Sequence, residues 1–272
     1  VEKMTDIYGS EIIDVQSSIL DREWESFNGA TPAALAAITA RRYMHDFKVP
    51  REDLAMIAVN DHANASMNPD AQYRNKITVD QVLKSDPVAE PLNVFDCSPI
   101  SDGASAIILA SDEYRKKNRL DGIRIVSSAM SEDYLALHSR KSIYTLESTR
   151  IAAKQAIERA GIKRNDISFV ELNDSYSIYG LIELEDLGFA DKGKGRDLLG
   201  EIKIDGGLPV NPSGGLKAKG NPLGATGVSQ FYEAYLQLKG KAGQRQVKNA
   251  RYGMLHNMAG TGATSVVHIV GE

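Results

Sequence analysis

A glycine-rich segment near the carboxyl end carries the clearest chemical signal in the sequence. Five glycines and two prolines fall between Asn211 and Gly227, directly before a predicted helix. Glycine allows the backbone to approach a substrate closely, and the first turn of a helix offers unpaired N–H groups to an anion or a developing oxyanion. The segment therefore predicts a ligand-binding loop at a helix start, although glycine-rich turns without a ligand are also common.

The chain contains a single cysteine, Cys97, which excludes an internal disulfide and a cysteine-based zinc cluster. It follows a predicted strand in the run Asp-Cys-Ser-Pro and does not stand at a helix start, where its thiol would be activated. Free cysteine usually packs as a small apolar side chain. We interpret Cys97 as structural and not as a nucleophile.

Four of the five histidines are candidates for acid–base or metal-binding groups. His256 and His268 lie in predicted strands, where we expect their ring nitrogens to be satisfied within the sheet. His62 and His138 can face a site, but neither has a carboxylate at an interpretable spacing. No metal-binding motif emerges, and no metal site is predicted.

Tyr176 and Tyr179 are separated by one helical turn in a predicted helix. Packing is the simpler interpretation of such a pair, and acid–base chemistry by the phenols is the alternative.

Composition excludes several classes of protein. The chain has 272 residues, 42% of them apolar, which is enough for one large or two ordinary packed domains. Its net charge is -4, with 36 acidic and 32 basic residues, so it has neither the basic face of a nucleic-acid-binding protein nor a polybasic membrane signal. No apolar stretch approaches the roughly 20 residues of a membrane helix, and the first residues lack the blocks of a signal peptide. We expect a cytoplasmic globular protein.

The elements that must position these residues differ between the two halves of the chain. In the first half, helical spacing from Thr31 to Asn68, interrupted by Pro50, predicts two helices. A polar stretch with one short turn at Val79–Leu83 follows, and then predicted strands at Leu92–Phe95 and Ala104–Ala110.

After Asp121 the predicted strands and helices alternate, which is typical of a layered α/β sheet. These elements are strand Ile123–Ala129, helix Leu146–Ala160, strand Ile167–Leu172, helix Tyr176–Leu187, a short strand Glu201–Ile204, helix Leu223–Leu238, and strands Tyr252–Met258 and Thr264–Val270. The last two strands predict a hairpin around Ala259-Gly-Thr-Gly262.

Three segments together resemble the thiolase superfamily: Glu171-Leu-Asn-Asp-Ser-Tyr176, Asn211–Gly227 and His256-Asn-Met-Ala-Gly-Thr-Gly-Ala263. The run Asn-Pro-Ser-Gly-Gly followed by Gly-x-Pro-Leu-Gly-Ala-Thr-Gly is most similar to the archaeal and lipid-transfer-protein-like branch. Val1–Asp6 and Cys97–Gly103 fit the same branch. The likeness covers essentially the whole chain.

The resemblance implies a layered αβαβα fold of two similar halves, with a loop domain inserted in the first half. It implies that the family segment carrying the nucleophilic cysteine precedes the position of Val1, so that the first half is incomplete here. We assign residues 1–121 to the loop domain and the remaining part of the first half, and residues 122–272 to the second half. Strands at Leu92–Phe95 and Ala104–Ala110 would then lack sheet neighbours within the chain, unless another polypeptide supplies them.

The resemblance also implies chemistry at a CoA thioester, in which an acyl-cysteine, a second acid–base group and two oxyanion holes form or cleave a carbon–carbon bond. Asn221 occupies the position of the family histidine, and Asn173 matches an asparagine that orients a water in an oxyanion hole. Ser175 and Asn257 occupy the positions where different branches carry the acid–base cysteine. Ala259 replaces a motif glycine and can still offer its backbone N–H to an oxyanion. None of the replacements titrates near neutral pH.

For the cofactor portion of the substrate, Ser98 matches the family serine that contacts pantetheine, and a simple loop serine is the alternative. We further predict that Ser213 and Gly214 of the glycine-rich segment contact CoA. The acyl group should lie in a cavity walled jointly by Asn173, Asn221 and Ala259. No permanently bound cofactor is expected, because the CoA thioester is the substrate.

These observations favour a thiolase-like acyl-CoA-binding protein, by family an acetyl-CoA C-acyltransferase, with a degenerate acid–base set. One alternative is a non-catalytic thiolase-fold subunit that pairs with an active homologue or with a small OB-fold zinc protein, in a homo- or hetero-oligomer. The other is a lyase that cleaves a CoA-linked side chain by a retro-aldol reaction. The sequence leaves enzymatic activity open.

Overall fold

The computed structural model describes residues 1–6 and 9–272. Its helices are α1 (Gly9–Ser17), α2 (Pro32–Phe47), α3 (Arg51–Ala65), α4 (Val79–Lys84), α5 (Asp112–Lys117), α6 (Glu147–Ala160), α7 (Ser177–Asp186) and α8 (Leu223–Leu238). Its strands are β1 (Pro87–Ala89), β2 (Leu92–Asn93), β3 (Arg124–Glu132), β4 (Phe169–Glu171), β5 (Tyr252–Ala259) and β6 (Thr264–Gly271).

The two helices predicted in the first half are α2 and α3. Helix α2 begins with Pro32 behind an N-cap, in which Thr31 Oγ1 accepts a hydrogen bond from Ala34 N at 3.2 Å. Pro50 stands immediately before α3 and separates the two helices. Helix α3 is buried along much of its length and packs against the second half of the chain, so it contributes to the site described below.

The second half is built on a four-stranded sheet with the order β3-β6-β5-β4. Strand β6 is antiparallel to both β3 and β5, and β4 runs parallel to β5. Alternate residues along a strand face opposite sides of a sheet. On β4, Val170 joins a core with α6 and α7, whereas Phe169 joins a second core with α8. Helices therefore cover both faces, and the predicted α/β layering is confirmed.

The hairpin predicted around residues 259–262 is confirmed. Strands β5 and β6 pair from Tyr252 and Gly271 down to Ala259 and Thr264. The connection is a short 3₁₀ turn, Gly260–Gly262, in which Thr261 takes a left-handed conformation with φ of 53°.

Three strand predictions fail in whole or in part, because among the described residues the partner strand is absent or very short. Residues 104–110 form no strand ladder, and Ile108 is 97% exposed. The segment at Leu92–Phe95 pairs with β1 only over β2 and then turns into a 3₁₀ helix at Val94–Asp96. Residues 201–204 form turns, in which Glu201 O and Ile202 O accept hydrogen bonds from Leu208 N and Val210 N. Alternating hydrophobicity indicates an extended segment, but a strand also requires a neighbour.

Within the described part of the chain, no helix combines the length and the apolar character needed to cross a membrane. The division at residue 121 stays a prediction.

Close packing of the sheet gives a direct test of this architecture. Gly253 lies opposite Phe169 in the β4–β5 register, and a Cβ built on Gly253 would lie 2.4 Å from Phe169 Cζ. We expect Gly253→Ala to lower the free energy of unfolding by about 1–3 kcal/mol through overpacking. Urea denaturation measures the change. The control Gly200→Ala places a methyl group in open space and should change stability by less than about 0.5 kcal/mol. Equal effects of the two substitutions would contradict the packing.

Candidate functional site

The glycine-rich segment starts beside the end of β4 because Asn211 completes the hydrogen bonding of that strand. Asn211 N donates to Val170 O at 2.7 Å, and Asn211 Oδ1 accepts from Leu172 N at 2.8 Å. Its Nδ2 donates to Asp61 Oδ1 at 3.0 Å, and the residue has a left-handed φ of 50°. The segment is thus bound to the sheet at its first residue.

Three asparagines of the α3 region hold the same segment from the other side. Asn60 and Asn64 each donate to Val210 O at 3.0 Å, and Asn68 donates to Ser213 O at 2.7 Å. The four-residue spacing of Asn60 and Asn64 places them on one face of α3, and Asn68 follows the end of that helix at the same spacing. This spacing is the sequence signal for the contact between these asparagines and the glycine-rich segment.

Ser213 and Gly214, which were predicted to contact CoA, lie inside the protein. Ser213 is fully buried, and its N and Oγ both donate to the carboxylate of Glu171, at 2.9 and 2.6 Å. A Cβ on Gly214 would lie 2.6 Å from Ala65 Cβ, so this glycine permits close packing on α3. Burial raises the pKa of Glu171 to about 7, although Lys219 lies 3.9 Å away. These contacts give both residues a structural task, and CoA contact by them stays a prediction.

Four other predicted site residues are linked by hydrogen bonds. Asn221 Nδ2 donates to Ser98 Oγ at 3.1 Å, and Asn221 Oδ1 accepts from Thr226 Oγ1 at 3.2 Å. Ser98 N donates to Ser175 O, and Ser175 N donates to Asn173 O, both at 2.8 Å. The structure therefore brings together Asn173, Ser175, Asn221 and Ser98 from separate parts of the chain.

The strand ends beneath these residues are fixed by α8. Gln230 Nε2 donates to Leu172 O at 3.0 Å and to His256 O at 2.9 Å, which ties β4 and β5 together. Asn257 lies next to Gly227, where a Cβ would come within 3.5 Å of its Nδ2. That Nδ2 is buried without a hydrogen-bond partner. An unpaired buried donor is costly, so this amide is available to a ligand or a water.

Ala259 is exposed at the end of β5, opposite Thr264. Among the residues that the structure describes, no hydrogen bond joins Ala259 to Asn173, Ser175 or Asn221. Its predicted oxyanion role stays a prediction.

Two cavities lie close to this region. One has a volume of about 460 Å³ and lies between residues 100–105 and α8, with Gly220 and Pro222 in its wall. The other, of about 280 Å³, lies between α3 and residues 199–205. Asn173, Asn221 and Ala259 line neither of them. The expected joint cavity is therefore not one of these two, and an acyl-binding role for the three residues stays a prediction.

Cys97 has the contacts of a structural thiol. Its Sγ donates to Asn93 O at 3.4 Å, and its backbone pairs with Tyr176. Burial and the neighbouring Asp96 raise the pKa of the thiol to about 12. Because only the thiolate is a good nucleophile, this environment suppresses reactivity.

The two histidines of the predicted strands, His256 and His268, differ in whether their ring nitrogens have hydrogen-bond partners. His256 is fully buried with both ring nitrogens partnered, Nδ1 to Glu183 Oε2 at 3.1 Å and Nε2 to Thr149 Oγ1 at 3.0 Å, which confirms the expectation of a satisfied residue. His268 contradicts the expectation of a satisfied ring, because its Nδ1 is buried and has no hydrogen-bond partner among the described residues. The ring of His268 packs 4.9 Å from that of Phe231, and burial lowers its pKa.

His62 and His138, which the sequence left as residues that can face a site, pack against aromatic rings. His62 Nδ1 lies 2.8 Å from Asn75 O, and its ring stacks on Tyr73 at 6.2 Å. His138 meets Trp24 edge to face at 6.0 Å. In the described ranges, 1–6 and 9–272, no group of three or more potential ligands among His, Cys, Asp and Glu is arranged to hold a metal ion.

Tyr176 and Tyr179 contact each other edge to face, with ring centroids 5.9 Å apart. The Tyr179 hydroxyl is buried without a partner. Burial raises the pKa of both phenols, so both stay protonated at neutral pH. Such groups can donate a proton or a hydrogen bond but cannot act as bases.

Sequence reasoning missed Glu183, which contacts both His256 and the backbone of Asn173. The signal was available, since Glu183 is an acidic residue in the largely apolar helix α7. A carboxylate in such a helix is buried only when it has a partner.

Comparison with known proteins gives a consistent picture. Residues 129–272 match the family model for the thiolase C-terminal domain, and residues 1–113 match that for the thiolase N-terminal domain. An acetyl-CoA acetyltransferase of Methanothermobacter thermautotrophicus is 46% identical over 271 residues, which cover 99% of this chain and 70% of the relative. Sterol carrier protein 2 of Gallus gallus is 37% identical over 237 residues, or 85% of this chain and 43% of the relative.

Solved structures agree on the fold. A structure titled Ltp2-ChsH2(DUF35) aldolase has a TM-score of 0.81 at 27% identity, covering 93% of this chain and 68% of the other. Human mitochondrial 3-ketoacyl-CoA thiolase has a TM-score of 0.71 at 20% identity, covering 95% and 63%, and this likeness concerns the fold alone.

The environment of Cys97 predicts slow alkylation. With a thiol pKa of about 12, the thiolate fraction at pH 7.5 is about three orders of magnitude below that of an ordinary cysteine, and labelling by iodoacetamide should slow accordingly. Mass spectrometry of the intact chain follows the reaction. The same chain unfolded in urea is the control and should label at the rate of a free thiol. Rapid labelling of the folded chain would contradict the structural assignment.

Proposed function

Because the chain belongs to the thiolase family, we propose that it binds CoA thioesters through Ser98 and Asn221 and lacks the proton-transfer groups of an efficient acyltransferase. The observation that carries the proposal is the hydrogen bond between Asn221 Nδ2 and Ser98 Oγ. It places the residue matched to the family histidine beside the residue matched to the pantetheine-binding serine. Two ligand-contacting positions thus lie at one point of the surface.

The amide of Asn221 is suited to binding. Thr226 donates to its Oδ1, which fixes the amide so that Nδ2 points toward Ser98. A thioester oxygen can take the place of Ser98 Oγ as the acceptor from Nδ2. An amide donates hydrogen bonds but cannot accept a proton, so Asn221 can stabilise an oxyanion without acting as a general base.

Proton transfer is the step that these residues cannot support. Ser175 and Asn257 stand where family members carry an acid–base cysteine, and neither titrates near neutral pH. Cys97 is held as a thiol. Each general acid or base contributes a factor of about 10²–10⁴ to a rate. Replacing both the family histidine and the acid–base cysteine should therefore slow carbon–carbon bond chemistry by about 10⁴ or more.

A lyase is the second candidate. The support comes from the Tyr176–Tyr179 pair and from the similarity to a structure whose title names an aldolase. The raised pKa keeps both phenols protonated, so they can donate a hydrogen bond to a developing oxyanion but are weak acids, and a retro-aldol cleavage would also require a separate base.

A binding subunit is the third candidate, supported by the surface of the first half. Residues 104–110 have no regular secondary structure and no strand partner in the described part of the chain, and Ile108 and Leu109 are 97% and 72% exposed. Such a segment can pair with a strand of another chain. The structural neighbour's title names DUF35 together with the aldolase, and a small OB-fold zinc protein or a second thiolase-fold chain is the partner that we propose here.

Binding can be measured directly by titration calorimetry with acetyl-CoA. We expect saturable binding by the wild-type chain, and an affinity about two- to tenfold weaker for Asn221→Ala and for Ser98→Ala, because each removes one hydrogen bond. Asn118→Ala is the matched control, since Asn118 is exposed at the end of α5 and its side-chain Nδ2 donates to Tyr114 O. An absence of binding by the wild type would refute the proposal, as would an equal effect of the control.

Turnover separates the three candidates. With acetoacetyl-CoA and CoA, we expect thioester loss at a rate about 10⁴ or more below that of an archaeal acetyl-CoA acetyltransferase assayed in parallel. Rapid thiolysis by the isolated chain would overturn the degenerate assignment. Release of a carbonyl product from a β-hydroxyacyl-CoA, abolished by Tyr176→Phe, would favour the lyase. Activity that appears only with a second thiolase-fold chain would favour the subunit.

A further inference from the structure

Glu183 and His256 form a fully buried pair beneath the candidate site. Glu183 Oε2 accepts from the backbone N of Asn173 at 2.9 Å and lies 3.1 Å from His256 Nδ1. One carboxylate oxygen therefore links the residue at the end of β4 to a side chain of β5.

The chain of hydrogen bonds continues from His256 across the sheet. His256 Nε2 lies 3.0 Å from Thr149 Oγ1, which lies 2.8 Å from Ser265 Oγ. Ser265 Oγ lies 2.8 Å from Ser148 Oγ, and Ser148 Oγ donates to Gly262 O at 2.6 Å. This series of hydrogen bonds thus ends on the Gly260–Gly262 turn, which follows Ala259.

We propose that Glu183 and His256 are positioning residues, which fix Asn173 and the Gly260–Gly262 turn relative to each other. The proposal rests on the function proposed above and on the predicted oxyanion contacts of Asn173 and Ala259. Neither Glu183 nor His256 contacts the substrate. Both act through the backbone that they hold.

The energetics favour a positioning role over a stabilising one. Taking two ionisable side chains out of water carries a free-energy cost that their mutual contact only partly offsets, so such a buried pair often yields little net stability. Among the described residues Glu183 Oε1 has no hydrogen-bond partner, which adds to the cost. What such a pair provides is orientation, because each member has one geometry that satisfies the other.

A second link shows that the two strand ends are held at more than one level. Gln230 of α8 bonds to the carbonyls of Leu172 and His256, the residues adjacent to Asn173 and Asn257. Glu183 reaches the same strands from α7. Loss of the Glu183 link should therefore loosen Asn173 locally without unfolding the sheet.

The test compares Glu183→Leu, Glu183→Gln and the matched control Glu185→Gln. A glutamine oxygen in the place of Oε2 can still accept from both Asn173 N and His256 Nδ1–H, whereas leucine can accept from neither. Glu185 is a buried acid of the same helix that bonds to Tyr43 and to Gly195 N, away from Asn173. The readout is the ratio of affinities for acetyl-CoA and for CoA, because only acetyl-CoA carries the thioester oxygen.

We expect Glu183→Leu to lower the acetyl-CoA to CoA affinity ratio by up to about tenfold, with little change in the affinity for CoA. Glu183→Gln should keep most of the wild-type ratio, and Glu185→Gln should leave the ratio unchanged. Parallel losses for both ligands, or an unchanged ratio in Glu183→Leu, would overturn the proposal.

A second measurement keeps the two proposals separable if the wild type binds neither ligand. Amide NMR spectra should then show faster hydrogen exchange at Asn173 in Glu183→Leu, together with shifted resonances at Ala259–Gly262, and neither change in Glu185→Gln. This outcome would support the link while the binding proposal fails. Resonances at Ala259–Gly262 that do not respond to Glu183→Leu would refute the link itself.

Discussion

The structure depends on how the buried polar groups at the end of β4 are satisfied. Glu171, the last residue of that strand, accepts hydrogen bonds from both the N and the Oγ of Ser213, and Asp174, three residues later, accepts from Leu216 N at 2.9 Å. A buried carboxylate without partners would cost several kcal/mol, so the loop cannot leave these oxygens without a large penalty. The glycine-rich segment is therefore held in one conformation.

Glycine makes this arrangement possible at a particular position. Gly215 has a left-handed φ of 59°, and a Cβ there would lie 2.6 Å from the carboxylate of Asp61. The backbone can approach the acid only because no side chain intervenes. Burial and the neighbouring Asp174 raise the pKa of Asp61, so a proton on this pair relieves its charge repulsion. The loop is thus shaped by interior contacts, and its outer edge, at Asn221, is the part for which we propose ligand contact.

The chemistry of the site follows from what amides and hydroxyls can do. Asn221 donates to Ser98 Oγ, and backbone hydrogen bonds continue this network from Ser98 through Ser175 to Asn173. Amides and hydroxyls can stabilise a polarised carbonyl, but they do not exchange protons with it at neutral pH. Binding and proton transfer are separable properties of one architecture, and the function proposed here assigns only the first to these side chains.

The sequence by itself determined the local elements and the family, whereas the tertiary structure decided which distant groups meet. Helix α8 has the predicted bounds, and α2, α3, α6, α7, β5 and β6 lie within a few residues of them, because their apolar periodicity matches their geometry. Periodicity also predicted strands at 104–110 and 201–204, where no neighbouring strand provides the hydrogen bonds. Motif position predicts that Ser213 contacts the ligand, and only the fold shows that its side chain donates to Glu171. The pairing of Glu183 with His256, 73 positions apart, could not be read from spacing, since a sequence pattern records which face is apolar but not what lies across it.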